Sequence, residues 1–257
     1  MSDRALQDEV IRALADAPHR ASAEWRERQL ADPDRVERFA RFLARHFYFE
    51  RIVHFFKYSR ALARVTGRRP DAVLKRPAFE ALLPTLVLGS RPSARAVAEL
   101  VVAYVQEPEV AVPYLDDLHQ YERAMMVVEA GPRVWRDPVD QHDGVVGSAW
   151  SAPERVEGTV LLDLAHDLPG VLPKLLQPWT DVPVATMQRT RLLIARSKHG
   201  RVAVARTTRA IAAVVQLADG KKTLEDLARE AGLRPAEVEA TLEGLVDIGA
   251  VRFSTGS

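Results

Sequence analysis

The chain has 257 residues, 47% of them hydrophobic and 28% charged, with a formal net charge of +1. This is the composition of a globular protein with room for one large or two modest domains, and its charge balance exerts no general pull toward nucleic acid or a membrane surface. It has no cysteine, which excludes disulfides, thiolate metal sites, iron–sulfur clusters and cysteine nucleophiles. No apolar run approaches the ~20 residues of a membrane span. The charged start MSDRALQDEVIRALADA lacks the apolar core of a signal peptide, so the expected location is the cytoplasm.

Residues 3–17 place Leu6, Val10, Ile11 and Leu14 at helical spacing, and a second helical run, 21–30, carries Trp25. Asp32-Pro33 then reads as an N-cap followed by a proline at the first helical position. The longest helical pattern, Arg35 to Gly67, contains Phe39, Phe42, Phe47, Phe49, Phe55 and Phe56, with Tyr48 and Tyr58 among them. A helix that is apolar around much of its circumference is buried on more than one side or meets another protein. Pro70 and Pro77 start two short helices, and a helix after Pro92-Ser93 puts Val97, Leu100, Val101 and Tyr104 on one face. Another helix runs from Pro113 to Gly131. Residues 1–131 are therefore expected to form a helical bundle.

Residues 132–158 are rich in Gly, Pro and Asp and read as a linker, with Trp135 and Trp150 near its ends. From 159 to 257 the pattern changes. TVLLDL (159–164) reads as a strand, and RLLIARS and RVAVAR flank a turn containing Gly200. Three helical runs follow, capped by Thr207 or Thr208, by Thr223 with Asp226 three residues on, and opened by Pro235. The expected fold is mostly α with a small α+β module: an N-terminal helical bundle followed by a winged-helix-like domain.

Winged helices often bind DNA through their third helix. Here that helix carries Glu237, Glu239, Glu243 and Asp247 against a single Arg234, the wrong sign for phosphates. The cations lie instead on the hairpin: Arg189, Arg191, Arg196, Lys198, Arg201, Arg206 and Arg209. They guard an edge strand against aggregation, or they flank an edge that accepts an incoming strand.

No catalytic pattern stands out. His46, Glu50 and His54 recur at four-residue spacing on one helix face, but metal sites usually draw ligands from more than one element. His119 and Glu122 form a single i, i+3 pair, and Asp137, Asp140, His142 and Asp143 lack the spacing of a calcium loop. Ser148 lacks a nucleophile elbow, and there is no Walker or dinucleotide loop.

Two stretches carry a family resemblance. The run ADGKKTLEDLAREAGLRPAEVEATLEGLVDIGAV, within 191–253, resembles the precursor-peptide recognition element of ribosomal peptide pathways, of which the pyrroloquinoline-quinone peptide chaperone is an example. A helical region containing PYLDDLHQYERA, followed by a strand, a hairpin and helices, resembles the partner subunits of multinuclear non-haem iron-dependent oxidative enzymes, as in methanobactin and 3-thiaglutamate biosynthesis. Tyr114, Leu115, Asp117, Leu118 and Glu122 match that family's run when one spacing position slips.

The resemblance implies a non-catalytic subunit that binds a leader peptide by strand addition and pairs with an iron enzyme holding the metal. It implies no metal or cofactor of this chain's own, and neither nucleic acid nor membrane as partner. Mapped onto this chain, the peptide would meet Arg191, Leu193, Arg196, Arg201, Val202, Ala203, Val204, Ala205 and Arg206, with Leu242 and Val246 lining the cleft. The oxidase would meet Phe47, Tyr48, Arg51, Phe55, Tyr58, Trp135 and Trp150. The competing expectation is a transcriptional regulator with a helical sensor domain.

Overall fold

The structure is a computed structural model that describes residues 3–28, 32–106, 110–131, 152–197 and 199–253. The chain is mostly α-helical, with a small antiparallel strand module. It divides into two compact units: Met1–Ala130 with Val171–Val184, and Gly131–Gly170 with Ala185–Ser257. Among the described residues no helix is long and apolar enough to cross a membrane.

In the first unit, α1 (Asp3–Ala15) is followed by the short α2 (Ala17–Ala21) and α3 (Ala23–Glu27), where the sequence suggested one helix over 21–30. Next, α4 (Pro33–Phe55) begins as its cap signals dictate: Asp32 accepts from the N–H groups of Asp34 at 3.0 Å and Arg35 at 3.3 Å. Its buried face steps by fours through Val36, Ala40, Ala44, Tyr48 and Ile52.

The single helix expected from Arg35 to Gly67 is corrected by a break at Phe56 (φ −98, ψ 33), after which α5 (Lys57–Thr66) starts. Two 3-10 turns, Pro70–Lys75 and Leu83–Thr85, flank α6 (Pro77–Leu82). Then come α7 (Arg91–Val105) and α8 (Leu115–Glu129). Tyr48, Ile52, Phe56, Phe79, Val97, Val101 and Met126 share one core. Leu100 and Tyr104, expected on the buried face of α7, are only half-buried beside it.

Residues 171–184, which the sequence grouped with the C-terminal module, pack with this unit. Here Arg64 sits 3.2 Å from the centre of the Trp179 ring, and the Tyr114 hydroxyl donates to the Pro183 carbonyl at 2.8 Å.

The second unit contains β1 (Pro153–Arg155) and β2 (Val160–Leu164). After α9 (Leu168–Leu175) come β3 (Thr190–Arg196), β4 (Val202–Arg206), α10 (Arg209–Leu217), α11 (Leu224–Ala231), α12 (Pro235–Asp247) and β5 (Val251–Phe253). One antiparallel sheet has the order β2-β3-β4, and β1 pairs with β5. The tail of the expected linker is thus a strand, with Pro153 opposite Phe253 and Arg155 opposite Val251.

Thr208 caps α10, and Thr223 with Asp226 forms a reciprocal capping box on α11. Leu193 and Ala195 of β3 join Val214, Leu227, Val238, Leu242 and Leu245 in a single core. Burying an aliphatic side chain of this size contributes about 1.5–3 kcal/mol, so this shared core fixes the three helices on one face of the sheet.

Gly249 turns the chain from α12 into β5 with φ +75, and a Cβ there would lie 2.2 Å from the Arg196 carbonyl oxygen. Gly232 ends α11 with φ +68 and open space around it. Gly249→Ala should therefore destabilise the protein by at least ~2 kcal/mol, through both backbone strain and the clash. Gly232→Ala should cost only about 1 kcal/mol. Urea unfolding of the two variants checks that order.

Candidate functional site

The outer edge of β4 has a defined phase. The pairing of β3 with β4 sets Leu192 opposite Arg206, Ile194 opposite Val204 and Arg196 opposite Val202. Two ladder bonds flank these pairs: Thr207 N–H to the Arg191 carbonyl at 3.0 Å, and Ser197 N–H to the Arg201 carbonyl at 2.8 Å. Hydrogen-bonded and non-hydrogen-bonded pairs alternate along an antiparallel ladder. Residues 201, 203, 205 and 207 therefore face β3, and the N–H and C=O groups of Val202, Val204 and Arg206 face away. Among the described residues β4 pairs with β3 alone. An extended chain of any sequence could bond to that row.

The side chains around this edge sort cleanly. Val202, Val204 and Arg206 share a sheet face with Leu192 and Ile194, while Ala203 and Ala205 share the other with Leu193 and Ala195. Val204 is 40% exposed. Three arginines are already engaged: Arg191 with Asp163 at 2.5 Å, Arg206 with Asp167 at 2.6 Å, and Arg196 with the Gly131 carbonyl at 2.9 Å. Arg189, Arg201 and Arg209 are exposed and make no ion pair with another described residue. Lys198 lies outside the described residues.

Two of the expected peptide contacts are core positions. Leu193 is 1% and Leu242 0% exposed, because β3 is the central strand and Leu242 is on the inner face of α12. Neither side chain offers surface to a ligand, whereas Val246 is half-buried. On α12, Arg234 holds Glu237 at 2.7 Å and pulls its carboxyl down to about 2. Glu239, Glu243 and Asp247 stay exposed.

The motif run Tyr114–Glu122 lies in the core of the first unit. Tyr114, Leu115, Asp117, Leu118 and Glu122 are all buried. Glu122 accepts from the N–H groups of Tyr58 at 2.8 Å and Ser59 at 3.1 Å with one oxygen, and from the Ser59 hydroxyl with the other. It thus caps α5 from another helix, satisfying donors that the break at Phe56 would leave bare. Burial pushes its carboxyl up to about 8, against the pull of the Ser59 and Tyr58 donors and of Lys57. In the sequence Glu122 stands with His119 as a candidate ligand pair, and no local signal marks a cap supplied from another helix. His119 is 1% exposed, and burial lowers its pKa to about 4 despite Asp116, leaving it neutral at pH 7.

The expected oxidase contacts divide between core and surface. Tyr48 and Phe55 are buried, so they pack the bundle rather than face a partner. Phe47, Arg51 and Tyr58 are half-buried. The Arg51 guanidinium sits 4.5 Å from the centre of the Phe47 ring and pairs with Glu129. Trp135 and Trp150 lie outside the described residues, as do Asp137, Asp140, His142, Asp143 and Ser148. The exposed rings of α4 are others: Phe39, Phe42 and Phe49.

Beside those rings runs a groove of about 610 Å³, lined in part by His46, Phe47, Glu50 and His54. Four residues of helix advance about 6 Å, so His46 and His54 stand about 12 Å apart along the axis and cannot close on one ion. No group of three potential ligands converges among the described residues.

No protein-family model matches the chain, and no curated protein matches it.

The Glu122 cap carries a pH signature. A carboxyl whose folded pKa lies above its unfolded value stabilises the fold fully below the unfolded pKa, and that contribution is lost as pH rises through the folded one. Wild-type stability should therefore fall from pH ~4.5 to ~8 relative to Glu122→Gln, which keeps an acceptor and does not titrate. Chemical denaturation of both proteins at a series of pH values measures this slope. Glu122→Ala should cost at least ~2 kcal/mol at every pH, because it leaves buried donors unpaired.

Proposed function

We propose that this chain is a non-catalytic partner subunit in the biosynthesis of a ribosomally made peptide natural product. It binds the leader of a precursor peptide as an added strand on β4 and presents the peptide to a multinuclear non-haem iron-dependent oxidase, which holds the metal. The observation that carries this reading is the outer edge of β4, unpaired among the described residues, with the backbone groups of Val202, Val204 and Arg206 directed outward. Strand addition draws affinity from such groups and specificity from the side chains that flank them.

The flanking cations Arg189, Arg201 and Arg209, free of ion pairs to described residues, suit a leader with carboxylates near its strand. The exposed acids of α12 weigh against a regulator that reads DNA with this helix. The resemblance of 191–253 to peptide-recognition elements, and of the whole layout to oxidase partner subunits, supports the same reading. The half-buried Phe47, Arg51 and Tyr58 remain the proposed contacts for the oxidase, and the cytoplasm, where such peptides are made, is the proposed location.

Val204→Pro tests the edge. The lost N–H faces away from β3, so the β3–β4 ladder keeps its bonds and the fold should survive, as proline is tolerated on an edge strand. Affinity for the peptide products of short reading frames flanking the gene should drop at least tenfold by titration calorimetry. Ala203→Pro removes an inward N–H and should unfold the hairpin. Unchanged affinity in a folded Val204→Pro protein would place the peptide elsewhere.

A further inference from the structure

The exposed face of α4 is not used by the peptide reading. Phe39, Phe42 and Phe49 are 49%, 60% and 38% exposed. The rings form a ladder: Phe39 stacks on Phe42 at 6.3 Å, and Phe42 on His46 at 6.3 Å with planes 4° apart. Large apolar rings left in a contiguous exposed row mark a contact surface. The groove of about 610 Å³ lies beside them on the same helix.

The charges at the two ends differ in sign. Arg35 and Arg38 are exposed at the N-terminal end, make no ion pair with a described residue and outnumber the exposed Asp34 beside them. Glu50 is exposed at the other end and likewise makes none. Their neighbours Arg41 and Arg45 are already paired with Glu37 and Glu80.

We infer that this face of α4 is the contact surface of a symmetric dimer of the chain. A two-fold interface needs one patch that carries both halves of its own complement. Here the row of rings can meet itself when reversed, and the cations sit at the opposite end from the anion. Two antiparallel copies crossing at the level of Ala44 bring Phe39 against Phe49 of the second copy. The same crossing brings Phe42 against the second copy's His46 and Arg38 against its Glu50. A foreign partner would give no reason for both halves to lie on one helix. The contact is short, about 17 Å from Phe39 to Glu50. It falls below the ~1,200 Å² of standard interfaces, so the dimer is weak and concentration-dependent.

Sedimentation velocity of the full chain from about 1 to 200 µM tests this. The expected result is a reversible monomer–dimer equilibrium, abolished by Phe42→Asp with circular dichroism and melting temperature unchanged. Two charge variants then probe the orientation. Arg35→Glu/Arg38→Glu makes the ridge anionic at both ends, and Glu50→Arg makes it cationic at both ends. Each alone should self-associate at least tenfold more weakly, and an equimolar mixture should recover wild-type association. A wild-type chain that stays monomeric throughout overturns the inference. So does a dimer that survives Phe42→Asp, or a mixture that fails to recover. The test involves no peptide, and a Val204→Pro chain should dimerise as the wild type does, so its outcome is separate from that of the peptide reading.

Discussion

The second unit depends on one strand. β3 runs Thr190–Arg196, and its central residues Leu192, Leu193, Ile194 and Ala195 are all at most 1% exposed. Such a run, buried on both faces, fixes register, because a slip of one residue would exchange what each face presents. β2 and β4 are bound to β3 on either side, and the helical core packs on the face that carries Leu193 and Ala195. Once β3 is fixed, so is the phase of β4. The outward direction of the Val202, Val204 and Arg206 backbone groups follows from that core packing together with the hairpin turn, closed by the Ser197 N–H to the Arg201 carbonyl, that sets the register. For the strand addition proposed above, an edge whose backbone groups are already oriented would lower the ordering cost of binding.

The first unit depends on a different kind of constraint. The helical pattern of its aromatic segment runs on past Phe55 to Gly67 in the sequence. Glu122, from α8, instead supplies three acceptor bonds to the start of α5. The break lets Phe56 enter the core at 0% exposure beside Tyr48 and Ile52. Because the buried face of α4 steps by fours, the chain's rings are sorted between core and surface. Tyr48 and Phe55 go inward, and Phe39, Phe42 and Phe49 stay out. That sorting leaves this helix with an apolar surface its own unit does not use.

Local signals were the readable part of the fold. The Asp32-Pro33 start, the Thr223–Asp226 capping box, the hairpin turn at Gly200 and the helical periods each act within a few residues, so the sequence displays them. What stayed hidden depends on distant partners. The cap on α5 comes from a residue 63 positions away from Ser59. β1 is three residues led by a proline, and it is a strand because Val251–Phe253 lies against it on one side and residues 218–220 on the other. The hairpin strands were legible by alternation, but not which of their amides face outward, since that needs the register. Leu193 reads as a peptide contact and Leu242 as a cleft residue because periodicity alone cannot say which apolar face is covered. On α4 the sequence likewise does not separate the buried Tyr48 and Phe55 from the exposed Phe39 and Phe42: a helix apolar all round does not announce its exposed side.

The most direct test of the central claim is amide hydrogen exchange along β4, resolved by residue, with and without a precursor peptide encoded beside the gene. In the free protein Ala203 and Ala205 should exchange slowly, and Val202, Val204 and Arg206 fast. Peptide binding by strand addition should slow Val202, Val204 and Arg206 at least tenfold while changing Ala203 and Ala205 little. Saturating peptide that leaves those three amides exchanging at their free rates would contradict the account.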